Sequence, residues 1–275
     1  MWKLLNEIFI EFRSCFTRAA SFRWFVVIVV GFMIRSDKLG VTSVVRDLSI
    51  ASDSYTTMIH FFRSNAWSVE GLIKTWCKIV KKFAPICKED GMTLLVGDGV
   101  KQSKEGRKMP GVKKLHQESE NSSKAEYIFG HMFGGVGVLI GNTSKMFCVP
   151  VSIRIHDGIK VIRKWFNNTT VEQCEESHVV QIIQDSYGIA KIIGPSLILL
   201  DRYFLSVPAL KKCEECNNEN PESLHILTKA KMSCTAYTKP NKKTGQGRPR
   251  KKGTTVKLKE LFTSRKDEFI KTTIT

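Results

Sequence analysis

The chain has 275 residues, room for one sizeable core and a small satellite, and carries 43 Lys and Arg against 26 Asp and Glu, a formal net charge of +17. That surplus argues against an acidic or neutral scaffold and favours a polyanionic partner, because neutralising phosphates releases their counterions and gives affinity independent of sequence. The charge is regional: Lys229 to the end holds 14 basic and 3 acidic residues, and a smaller excess lies between Lys101 and Lys124.

The opening MWKLLNEIFIEF is interrupted by Glu7, Glu11 and Arg13 and forms no signal-peptide core. Trp24–Ile34, WFVVIVVGFMI, is too short to cross a bilayer and predicts a buried core helix. Helical spacing of apolar residues continues to about Phe83. Within it, Gly40–Ile50 predicts one short helix and Ser52–Trp67 a second, with Ser52 or Asp53 as its N-cap. Two such helices, with Arg46, Tyr55, His60 and Arg63 on polar faces, suit a helix-turn-helix that reads DNA. An ordinary helical bundle explains the same pattern and weighs more on this segment alone. The eight cysteines are scattered and read as reduced cytosolic thiols.

From Gly91 the texture changes to strands. Met92–Asp98 is followed by a basic loop, Gly99–Lys124, and then by apolar runs at Met132–Gly141 and Met146–Gly158. Thr170–Ala190 predicts an amphipathic helix with Val171, Val179, Ile182 and Ile183 on one face. Ser196–Asp201 reads as a strand, Arg202–Cys216 as a helix interrupted near Pro208, and Glu222–Lys231 as a further strand. Beyond Lys239 the sequence is rich in Lys, Arg, Gly and Pro and predicts a flexible arm or extended insertion. The order implies an α/β fold, a mixed sheet with helices on its faces, preceded by a helical region. The predicted division is 1–88, 89–235 and 236–275.

Two of those strands end in the same way. Leu94–Gly97 run into Asp98 between two glycines, and Leu197–Leu200 run into Asp201. A carboxylate at the end of a buried strand stands where it can meet solvent, metal or substrate, although either aspartate alone is explained as a local cap.

This pattern resembles the ribonuclease-H-like core of the DDE transposases of bacterial insertion sequences. The resemblance rests on LLVGDGVKQSKEGRKMPGVKKLHQESENSSKAEYIFGHMFGG, CVPVSIRIHDG and LILLDRYFLS, with the helical GVTSVVRDL and HFFRS before them. It implies metal-dependent DNA cleavage and strand transfer at element ends, by in-line attack without a covalent protein intermediate. Asp98 and Asp201 would be the first two acids, on neighbouring strands, holding Mg²⁺ or Mn²⁺. Two divalent ions about 3.5–4 Å apart suit in-line displacement at phosphorus, and hard cations prefer carboxylate oxygens. The implied partner is double-stranded DNA, both transposon end and target, compatible with a homodimer on DNA. The implied setting is the bacterial cytoplasm and nucleoid, with no membrane.

The family's third acid is a glutamate on a helix beyond an insertion, and here the sequence departs. Gly247–Phe262 looks like the beginning of that insertion, and Glu260, Asp267 and Glu268 come too soon. The reading is a truncated transposase, inactive alone. Its alternative is a DNA-binding protein without catalysis, a regulator or inhibitory remnant.

Phosphate contacts are expected from Lys101, Lys104, Arg107, Lys108, Lys113, Lys114 and His116 beside Asp98. Arg248 and Arg250, in GRPRKK, match a minor-groove form, though nonspecific phosphate binding weighs more. Other motifs fail. GGVGVLIG breaks the dinucleotide spacing at Ile140 and GDGVKQSK lacks the Gly-Lys-Ser/Thr ending, while Cys213-x-x-Cys216 with His225 and Cys234 could ligate zinc but has no paired spacing in its second half. His156 beside Asp157 reads as a strand-end turn.

Overall fold

The structure is a computed structural model describing residues 2–37, 40–106, 108–109, 111–117, 123, 125–142, 144–156, 177–221, 223–231, 233–240 and 251–268. Five helices come first: α1 (Trp2–Phe12), α2 (Ala19–Ile34), α3 (Val41–Asp47), α4 (Ser54–Phe62) and α5 (Val69–Phe83). They enclose a core of Phe12, Phe16, Ile28, Val44, Met58, Phe61 and Ile79. Gly31 lets α2 press on α3, since a methyl there would meet Val44 Cγ1 at 2.3 Å. α2 is only partly buried, with Ile28 and Gly31 inside and Phe32, Met33 and Ile34 exposed. No described helix is long and apolar enough to cross a membrane. The expected side-chain cap on α4 is absent: Asp53 precedes the helix in helical backbone geometry and makes no capping bond. Backbone turns from Ala51, Ser52 and Asp53 wind into the helix instead.

α5 belongs to two cores. Ile79 faces the other helices, whereas Cys77 and Val80 pack with the sheet. Ser68 accepts a hydrogen bond from the Gly71 amide at its start, and Lys81 and Lys82 lie in its last turn, where they complement the helix dipole.

The sheet begins with β1 (Lys88–Glu89) and β2 (Met92–Ser103), joined through Asp90 and Gly91, both at positive φ as a two-residue hairpin turn requires. β3 (Lys113–His116), β4 (Tyr127–Asn142), β5 (Lys145–Ile155), β6 (Ser196–Leu200) and β7 (Leu224–Thr228) complete it. β5, β4 and β2 form an antiparallel meander, and β6 and β7 continue it parallel to β2. This order, two returning strands on one side of the first and two parallel strands on the other, is the ribonuclease-H-like arrangement. β3 also pairs with β4, end to end with β5.

The predicted basic loop is therefore partly strand, Gly99–Ser103 extending β2 and Lys113–His116 forming β3, each paired with β4. β2 runs five residues past Asp98 to Ser103, because β4 pairs with it residue by residue from Leu95↔Val138 to Ser103↔Gly130.

α6 (His178–Ile193) joins β5 to β6, its expected first turns lying outside the described residues, and ends at Gly194 with φ 119°. After β6 a short 3-10 turn, Arg202–Phe204, leads to α7 (Val207–Glu219). Pro208 opens α7 instead of interrupting a helix, because its missing N–H falls where no intrahelical partner exists, and Ser206 caps it through the Ala209 amide. The sheet core comprises Leu95, Val136, Val138, Ile182, Ile183 and Ile198 among others. Further on, β8 (Thr235–Tyr237) and β9 (Thr255–Lys257) pair beside α8 (Leu258–Ser264).

Candidate active site

Parallel pairing of β2 with β6 runs from Thr93↔Ser196 to Val96↔Leu199. Continuing that register by two residues sets Asp98 level with Asp201. β6 ends at Leu200, so from Asp98 onward β2 loses its neighbour on that side. A slot of about 120 Å³ opens there, lined by Asp98, Gly99, Lys101, His178, Asp201 and Tyr203, among others. Asp98 thus marks the end of a ladder rather than of its own strand.

Each carboxylate is oriented by its own loop. Asp98 Oδ1 accepts from the Gly99 amide at 2.7 Å, and Asp201 Oδ1 accepts from the Tyr203 amide at 2.9 Å. The Thr228 hydroxyl, on β7, donates to the Asp201 carbonyl at 2.7 Å and fixes the end of β6. No bond from the second oxygen of either carboxylate is found among the described residues. Two hard oxygen donors with one lone-pair face each held and the other exposed suit a divalent cation such as Mg²⁺ or Mn²⁺. Among the described residues no cluster of three or more ligating side chains exists.

The two faces of β2 differ. Val96, Asp98 and Val100 border an apolar trough of about 460 Å³, with Phe133, Pro150 and Ile153 across it. Gly97 and Gly99 lie on the opposite face, under α6. A methyl at Gly97 would meet Leu200 Cδ2 at 2.8 Å, and one at Gly99 would meet His178 Nε2 at 2.6 Å. The glycines flanking Asp98 thus let a helix approach the strand closely.

Under that helix lies a polar chain absent from the sequence reading. His156 Nδ1 and His178 Nδ1 are 2.7 Å apart, and His156 Nε2 is 3.0 Å from Asp185 Oδ2. Arg154 Nε is 3.1 Å from Asp185 Oδ1, an ion pair not aligned as a hydrogen bond, and an Arg154 guanidinium nitrogen reaches Glu70 Oε1 at 3.2 Å. Gln181 Nε2 donates to the His156 carbonyl. His156, one residue past the end of β5, is buried, as is His178, while Asp157 lies outside the described residues. The signal was available: His178, Gln181 and Asp185 recur at i, i+3 and i+7, a polar stripe on one face of a mostly apolar helix.

The expected DNA contacts fall in separate places. Lys101 is on β2 and donates to the His116 carbonyl at 2.8 Å, and Lys114 sits 4.0 Å above the Tyr127 ring. With Lys113 and His116 they line the β3–β4 hairpin, and Lys108 is exposed in the turn before it. Arg46 is ion-paired to Asp37 and Asp47, which raise its pKa chiefly through those side-chain bonds, so it is engaged within its own helical region. Arg63 is exposed at the end of α4. Arg107, Arg248 and Arg250 lie outside the described residues. Cys213 and Cys216 are buried in α7, where desolvation raises both thiol pKa values and Cys213 Sγ donates to the Leu224 carbonyl.

A ribonuclease-H-like sheet with two carboxylates at the junction of its first and fourth core strands defines the class. The DDE superfamily endonuclease profile matches residues 11–272, and the chain belongs to that family. No curated protein matches. A solved structure titled "Crystal structure of a pre-cleavage Mos1 transpososome" aligns at 11% identity and a TM-score of 0.18, over 71% of this chain and 56% of that one. The assignment rests on the family match and not on that alignment.

Proposed function

We propose that the chain acts on DNA phosphodiesters as a transposase, with Asp98 and Asp201 as its metal-binding pair. The observation carrying this reading is the register that brings two loop-oriented carboxylates level at one end of the sheet. Mg²⁺ or Mn²⁺ held there would supply charge stabilisation at phosphorus and an activated oxygen nucleophile. The protein supplies rigidity and grip. Lys101 on β2 beyond Asp98, Lys108 in the turn before β3, and Lys113, Lys114 and His116 on β3 carry positive or titratable groups, and such groups hold phosphates without reading bases. Transposon-end and target DNA are the proposed substrates, and a homodimer on DNA is compatible with cutting two ends.

A non-catalytic DNA-binding role is the second reading, and one observation favours it. Glu260 is paired with Lys257 and Glu268 with Arg265, on α8 and the turn after it, and neither lines the slot. This polypeptide alone is therefore proposed to bind end DNA while nicking it weakly or not at all.

A thermal-shift titration with Mn²⁺ tests the site. A ligand at a hundredfold excess over Kd stabilises the native state by about 2.7 kcal/mol, so saturable stabilisation of the wild-type chain is expected. Asp98→Asn and Asp201→Asn should each remove it while leaving duplex affinity largely intact. An equal response in all three proteins would eliminate the site assignment. Robust metal-dependent nicking in a parallel assay would eliminate the weak-nicking reading.

A further inference from the structure

The turn that carries Asp201 also presents an aromatic ring to the slot. Tyr203, in the 3-10 turn Arg202–Phe204, lines the slot with Asp98, Gly99, Lys101 and Asp201. It is 50% exposed, and its hydroxyl makes no hydrogen bond among the described residues. The ring is nevertheless held in place. It stands at 88° to Phe204 with the centroids 5.5 Å apart, and Phe204 is buried in the sheet core. The backbone beneath it is fixed as well, because the Tyr203 amide donates to Asp201 Oδ1 at 2.9 Å and Thr228 holds the Asp201 carbonyl. One residue thus orients a carboxylate through its amide and offers ring surface beside that carboxylate through its side chain.

The neighbours of the ring restrict what it can take. A ligand that reaches both Tyr203 and a cation held by Asp98 and Asp201 has to be anionic on one side and flat and apolar on the other. A nucleotide has both features. Arg202, between the carboxylate and the ring in sequence, is exposed and has no ion pair among the described residues, which leaves a cation for an adjoining phosphate. Within a duplex each base already stacks on its neighbours, so a protein ring can stack only on a terminal or unpaired base.

We propose that Tyr203 is a stacking platform for one unpaired nucleobase next to the phosphate at the carboxylate pair, so that the site favours DNA whose strands are already parted there. This rests on the reading of Asp98 and Asp201 as a metal-binding pair on DNA. Tyr203 sets specificity and takes no part in breaking the bond. Its fixed relation to Asp201 through the amide bond sets where the base lies relative to the metal ligands.

The test uses the full chain and fluorescence anisotropy at one fixed salt concentration. Two DNAs of equal length are compared, one fully paired and one with a few unpaired nucleotides at one end. The ratio of their affinities removes what both gain from the basic strands. The wild type is expected to favour the unpaired end by roughly 5- to 150-fold, the range for one base stacked on an aromatic ring. Tyr203→Phe should keep that preference, and Tyr203→Leu should bring the ratio near one. No preference in the wild type, a preference unchanged in Tyr203→Leu, or one lost in Tyr203→Phe would overturn the proposal. If Tyr203→Leu fails to fold, by circular dichroism, 2-aminopurine at the first unpaired position decides with the wild type: quenching on binding supports stacking, and unchanged emission overturns it. A saturable Mn²⁺ thermal shift that Asp98→Asn removes, without the preference, sinks this inference alone. The preference with an equal Mn²⁺ response in the wild type and Asp98→Asn sinks the metal site and leaves the stacking platform standing.

Discussion

Gly99 and Gly135 lie one strand and one residue apart on opposite faces of the same sheet, and they make opposite predictions. Gly99→Ala drives a methyl against His178 Nε2 and, at 2.4 Å, Met132 Cε. The Met end can move, but the imidazole is held by His156, so a loss of about 1–3 kcal/mol is expected in denaturant unfolding, the usual range for overpacking. Gly135→Ala enters the trough, where the nearest atoms are Ser152 O at 3.9 Å and Asp98 O at 4.0 Å. There the change should be neutral or stabilise by up to about 1 kcal/mol, by restricting the unfolded chain. Reversed magnitudes would show that the two faces of β2 are misassigned. Residues of this kind divide what the sequence revealed from what it hid. Asp98 and Asp201 were legible because apolar runs ending in a carboxylate are uncommon within a core strand. His178 was hidden because its meaning depends on Gly99 and His156, 79 and 22 positions away.

At the scale of elements, β4 decides how the basic stretch is displayed. That stretch reads as a loop because Gly, Lys and Pro punctuate it, whereas the sixteen-residue β4 imposes pairing on whatever lies opposite, as tertiary context overrides local propensity. Its consequence is that cations sit on a strand paired with β4, with Lys113↔Gly130 and His116↔Tyr127 marking the register. Replacing Lys113 and Lys114 by Gln should lower duplex affinity and reduce the slope of log affinity against log salt by about 2, near one unit per lost phosphate contact. A fluorescence-anisotropy salt series measures it, and an unchanged slope would remove the hairpin from the interface. α7 gives a purely structural check. Ser206→Ala deletes the cap bond to Ala209, and should cost about 1 kcal/mol in thermal or urea unfolding with the sheet otherwise unchanged. The start of α7 is not legible locally, because Pro208 reads as a breaker within a helix and as an opener at its first turn, and only the fold sets which position it takes.

For the whole molecule, the helical region and the sheet share α5, and Cys77 on that helix reports on their common stability. Burial pushes its thiol from the ordinary 9.0 up to about 11. The folded state therefore keeps a proton that the unfolded state releases first. Stability from this group is fully present below pH 9 and is lost as pH rises towards about 11. Unfolding free energies measured across that window should fall more steeply in the wild type than in Cys77→Ala, after allowing for the cavity the variant leaves. The same residue should resist alkylation in the native protein at neutral pH, since a buried thiol is both shielded and protonated.

That shared helix also bears on how such proteins could exchange parts. A boundary at residue 88, the natural cut in the sequence, would leave the sheet without Cys77 and Val80, while a cut before Ser68 would take Ile79 away from the helices. Neither cut gives two pieces with whole interiors. A chimera that keeps this sheet core and imports a different helical front would have to graft along a helix face, changing Leu72 and Ile79 to suit the newcomer while leaving Cys77 and Val80 in place. A swap of the whole front half at that seam is therefore expected to lower stability, whereas changes spread around one face of α5 keep both interiors filled.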